Sequence, residues 1–142
     1  MLSPLHILTR HKLILARFSG TYSTTDGQNL VNRLLAWGNP ETLAFRHLYD
    51  LSEVQRFDAD FGAISSLVSW KTNRLHPVPA GTLCVIFAPG DVAFGMARMY
   101  QSVADDSLPF DIRVTRSEAE ALAELGDPAS SIGDLLKADT AR

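Results

Sequence analysis

"DLSEVQRFDADFGAISSLV", Asp50 to Val68, is the stretch on which the fold turns. It begins at the end of "AFRHLYDL", residues 44–51, a run that reads as a buried strand. It ends inside an amphipathic helix over residues 58–75, where Phe61, Ile64, Val68 and Leu75 share a stripe that Leu67 widens, so that this face reads as core. The residues between read as a short acidic loop. Asp58 stands at the N-cap position and Asp60 in the first turn, where a carboxylate beside unpaired backbone amides stabilises by about 0.3–1 kcal/mol. A well-capped helix accounts for both aspartates. Strand, loop and helix in that succession is the unit of a parallel sheet.

The same succession extends to both sides. "PLHILT" (4–9) and "KLILARFSG" (12–20) read as the strands of a hairpin, joined at Arg10 and His11 and closed by Gly20. Thr25 and Gln28 have capping-box spacing, and Leu30, Leu34 and Trp37 then recur at helical intervals as far as Gly38 and Pro40. "TLCVIFA" (82–88) is nearly all apolar, as a central strand covered on both faces would be. Asp91 caps a helix to about Ala104, with Val92, Met96, Met99 and Val103 as its core stripe and Tyr100 at the margin. "FDIRVTR" supplies a last strand, and Ser117 with Glu120 forms a second capping box before "EAEALAEL". The expected fold is α/β with the order ββαβαβαβα, a mixed and mostly parallel sheet with crossover helices. Residues 1–126 form the expected domain, and 127–142 a C-terminal tail with a turn and room for a short helix around "SIGDLLK".

Bulk properties bound the function. The chain has 142 residues, 46% of them hydrophobic, enough for one core and too few for two comfortable domains. A formal charge of -3, with neither sign gathered into runs, argues against a nucleic-acid face. Cys84 sits in an apolar strand, so no disulfide framework or cysteine metal site can be built. The first residues lack the basic leader of a signal peptide, and no run approaches the roughly 20 apolar residues of a membrane span. The expectation is a soluble cytoplasmic protein, without membrane insertion.

Candidate sites are few. Ligands of open α/β sheets bind beyond the carboxyl ends of parallel strands, an edge that here carries Asp58 and Asp60 from one loop and Pro89, Gly90 and Asp91 from another. Such an edge suits a small anion or Mg²⁺, but two ordinary helix caps explain it more simply. Trp70, and Phe94 with Arg98 one turn apart, lie off their core stripes, and aromatic and arginine residues outside a core are enriched at interfaces. With Met96 and Tyr100 they outline an interface or the lip of a ligand groove. His6, His11, His47 and His76 lack metal-ligand spacing. No nucleophile elbow, Walker loop, dinucleotide fingerprint or CxxC pair occurs, so neither an enzyme nor a cofactor is expected.

"DLSEVQRFDADFGAISSL" resembles the signature of the STAS domain family, the sulfate-transporter and anti-sigma-factor-antagonist domains. In that signature "DLS", a spacer, then aspartate, two serines and glycine open the helix after the third strand. Element order across residues 5–126 fits the same family, and "APGDVAFGMARMYQSVAD" is similar to its bacterial SpoIIAA-like branch, grouped with SEC14-type lipid-binding folds. On this resemblance Asp58 matches the aspartate, Ala59 the first serine, Asp60 the serine that partner kinases phosphorylate, and Phe61 the glycine. Asp60 has no hydroxyl to phosphorylate; its fixed charge imitates imperfectly the roughly -1.5 to -2 of a phosphoserine. The resemblance implies a non-enzymatic regulatory module acting through a protein partner or as a homodimer. Its SEC14 side implies the alternative of a carrier for a small apolar or amphipathic ligand, for which a cavity of roughly 300 Å³ or more would speak.

Overall fold

Alternating apolar residues in "KLILARFSG" and "TLCVIFA" must each find cover on two faces, and the tertiary structure supplies it. The computed structural model describes residues 1–140, with side chains through Lys137. The strands are β1 (His6–Leu8), β2 (Leu13–Ser23), β3 (Arg46–Asp58), β4 (Thr82–Phe87) and β5 (Phe110–Thr115). The helices are α1 (Thr24–Trp37), α2 (Phe61–Thr72), α3 (Asp91–Ala104), α4 (Glu118–Leu125) and α5 (Ile132–Thr140). One mixed sheet runs in the order β1-β2-β3-β4-β5, with β1 antiparallel to β2 and every later pairing parallel.

Every parallel crossover steps the same way across the sheet, and right-handed crossovers then place α1, α2 and α3 on one face. Ile14, Ala16, Tyr49, Cys84 and Ile86 pack there against Leu30, Val68 and Ala97. The intervening residues Leu13, Leu15, Leu48, Val85 and Phe87 point the other way, onto Leu122 and Leu125 of α4 and Ile132 and Leu135 of α5. A strand buried on both sides has no reason to alternate in polarity, which is why 82–88 is apolar throughout.

The residues expected to form an acidic loop are strand. β3 pairs with β4 only over His47–Asp50, but with β2 it continues from Ser19↔Glu53 to Ser23↔Asp58. The ends of β2 and β3 thus form a two-stranded ribbon that outruns the sheet. Register shifts between Arg17 and Ser19 and between Gly20 and Thr21 interrupt the ladder, and Gly20 takes the left-handed φ of 65°. Val54 and Phe57 turn inward to the core while Glu53, Gln55 and Arg56 face water. That hydrated outer face gives the ribbon its loop-like composition.

Helix boundaries shift for local reasons. α1 starts earlier than the Thr25–Gln28 spacing suggests, because the Asp26 carboxylate accepts from Ser23 N at 2.9 Å. Asp60, not Asp58, caps α2: its Oδ1 accepts from Ala63 N at 2.8 Å, while Asp58 closes β3. Gly90 precedes α3 as its N-cap, and Asp91 is the first helical residue. Ser117 Oγ accepts from Glu120 N at 3.3 Å, as the spacing predicts.

Three residues expected on core stripes are largely exposed: Phe61 at 61%, Val92 at 63% and Trp37 at 59%. Phe61 and Val92 open their helices, beyond the strand ends where the sheet gives no cover. In α3 the buried positions are Ala93, Ala97 and Ala104, small side chains that let the helix sit close to the sheet. No helix among the described residues is long and apolar enough to cross a membrane.

Candidate functional site

The β2–β3 ribbon curls over the face that carries α1, α2 and α3, and encloses a cavity there at the carboxyl ends of the parallel strands. Phe18 and Tyr22 come from β2, Tyr49, Leu51 and Phe57 from β3, and Ile86 from β4. Gly27 and Leu30 of α1, Ile64 and Lys71 of α2, and Met96, Ala97 and Tyr100 of α3 complete the wall. Tyr22, Phe57, Met96 and Tyr100 are half-buried and mark the mouth, whereas the other lining residues are buried. The cavity has a volume of about 50 Å³, room for roughly four waters. Gly27 allows a close approach: a Cβ there would stand 2.7 Å from Leu67 Cδ2 and 2.8 Å from Tyr22 Oη, so one or both side chains would have to shift.

A polar cluster lies in and behind this wall. Lys71 is only 4% exposed, and its Nζ donates to Tyr100 Oη at 2.8 Å while lying 4.6 Å from the centre of that ring. Burial lowers its ammonium to a pKa of about 8, partly opposed by Cys84. Behind it, His47 Nδ1 and the Tyr49 hydroxyl share a 2.9 Å hydrogen bond, and His47 Nε2 is buried with no partner. The imidazole stands edge-on to Phe110 at 4.9 Å. Burial, and then the charge of Lys71, push His47 down to about 3. Burial pushes Cys84 up to about 12, and Tyr49, Tyr100 and Tyr22 upward for the same reason. At neutral pH the cluster therefore carries one charge, the Lys71 ammonium. Such a group attracts an anion, and its free-base fraction is a nucleophile.

The sequence-predicted residues divide. Met96 and Tyr100 line the cavity. Trp70 and Phe94 pack on the core from outside, each beneath a guanidinium: Arg74 lies 4.1 Å from the Trp70 ring centre and Arg116 lies 5.0 Å from that of Phe94. Arg98 is exposed. Asp58, Ala59, Asp60, Pro89, Gly90 and Asp91 do not line the cavity. Asp60 is engaged as a cap, and Arg116 donates to Pro89 O at 2.9 Å and to the Asp91 carboxylate. Among the described residues no group of His, Cys, Asp and Glu could hold a metal ion.

Lys71 is legible in the sequence although it is not among the residues predicted for a site. It falls on the same stripe as Ile64, Leu67 and Val68, so a charge on a core face was already written in the spacing. Tyr22, Tyr49 and Phe57 carried no such signal, since only the ribbon's curl brings them together. Against protein-family models no family matches, and against curated proteins no relative is found.

Proposed function

We propose that this chain is a non-enzymatic binding module of STAS-like type whose cavity takes a small, mainly apolar molecule. One observation carries the reading: an aromatic-walled cavity with a buried amine between the sheet and its helices. Its roughly 50 Å³ falls short of the roughly 300 Å³ that would speak for the carrier of the SEC14 resemblance, so the ligand of this reading is smaller than that alternative supposes.

A second reading, the regulatory module acting on a protein partner or a second copy, draws on a different surface. Phe61 and Val92, both largely exposed, open α2 and α3 beside Asp60 and Asp91 on the side where the parallel strands end. Large apolar side chains beside fixed negative charge suit a partner contact. On the STAS resemblance that contact would be made with Asp60 standing permanently where the family places a phosphorylated serine.

Native mass spectrometry of protein purified gently from its own cells separates the two. Extra mass that disappears on denaturation supports the ligand. A ligand-free homodimer or a stoichiometric second chain, lost when Phe61 is replaced by Glu, sinks the ligand reading in favour of the partner.

A further inference from the structure

The cavity holds a positive charge that no acidic group among the described residues answers. An ammonium has three donors, and Tyr100 Oη takes one of those of Lys71. The Tyr100 ring offers its π face to the same nitrogen. Among the described residues no carboxylate lies within ion-pair distance of Lys71. Buried cations are ordinarily paired, because desolvating one without a counter-charge is costly. The lysine is buried in the wall of a cavity, so the missing partner has a place to sit.

Size and lining describe that partner. Room for roughly four waters corresponds to a molecule of about six non-hydrogen atoms. Leu30, Ile64, Ile86 and Met96 offer such a molecule hydrocarbon contact alone. A single ammonium balances a single negative charge, and a phosphate would bring more than Lys71 neutralises. We infer that the cavity is a site for a short-chain monocarboxylate, its head on Lys71 Nζ and Tyr100 Oη and its tail among Leu30, Ile64 and Ile86. The inference rests on reading the cavity as a ligand site and adds the ligand's charge and length.

The groups that face or adjoin Lys71 sharpen the expected pH behaviour. Tyr100 from α3, Tyr49 and His47 from β3, Cys84 from β4 and Tyr22 from β2 all stay neutral near pH 7, for burial holds each in its uncharged form. Carboxylate binding then follows the ammonium alone and weakens as pH rises through about 8.

The test uses the full chain with butyrate and its neutral amide, butyramide, as probes. Methyl resonances of Ile64 and Ile86 report the cavity, and Cε of ¹³C-labelled lysine reports Lys71, distinct from Lys12 and Lys137. Butyrate is expected to move all three signals, to raise the Lys71 titration midpoint, and to bind at least about tenfold more tightly than butyramide. Lys71→Met is expected to abolish that preference. Should that variant not fold, the wild-type pH profile decides: butyrate affinity falls above pH 8 while butyramide affinity holds. Equal binding of the two probes overturns the carboxylate and leaves the cavity reading intact. Failure of both to move the methyls overturns the inference together with the cavity reading.

Discussion

Asp60 and His47 show how one side chain couples to the whole fold. Asp60 caps α2 through its 2.8 Å bond from Ala63 N, so Asp60→Ala should cost about 1 kcal/mol in denaturant unfolding. Asp60→Ser should stay within a few tenths of wild type, because a hydroxyl accepts the same bond. A loss as large in Asp60→Ser as in Asp60→Ala would mean that the charge matters beyond capping. His47 works through protonation. Its folded value of about 3 lies below the ordinary 6.5, so the unfolded chain binds the extra proton between those values. Its contribution is complete above pH 6.5 and is lost as pH falls toward 3, about 2 kcal/mol of it by pH 5. Lys71 is already charged and Tyr49 and Cys84 are already neutral in that window, so none of these neighbours shares the slope that His47 contributes. His47→Phe should unfold with a flatter dependence between pH 7 and 5, measured by urea titration at each pH; an unchanged slope refutes the assignment.

At the scale of the element, the ribbon is the feature that local sequence hid. "SEVQRFD" is polar enough to pass for a loop, since the outer face of an isolated ribbon is hydrated and only Val54 and Phe57 mark the inner one. Residues 47–50 sit between strands on both sides, whereas 53–58 pair with β2 alone. Amide exchange should therefore be markedly faster over 53–58 than over 47–50 under native conditions. Equal protection would mean that the ribbon opens only with the sheet. Because Phe57 of this ribbon lines the cavity, local opening there is also a route by which a ligand would enter.

Across the whole molecule, two cores share one sheet, and the C-terminal residues belong to the second. Leu135 of α5 is fully buried beside Leu8 and Leu13, Glu118 Oε1 accepts from Ile132 N at 2.6 Å, and Asp127 pairs with His11 at 2.8 Å. Leu135→Ala should cost about 2–5 kcal/mol, read from the unfolding midpoint. An unmoved midpoint would mean that α5 unfolds independently of the sheet. By itself the sequence determined the α/β class, the mixed and mostly parallel sheet, the α4 capping box and the double-sided burial of β4, but not the full element order, to which α5 adds a second helix after β5. Each of these is set by residues close in the chain, whose periodicity reports which faces must be covered. Only the tertiary structure decided where the cavity lies and that Tyr22, Tyr49, Phe57, Lys71 and Tyr100 meet around it. Those residues come from separate strands and helices, and their meeting depends on sheet register, the bulges of β2 and the close seat of α3, which no local pattern encodes.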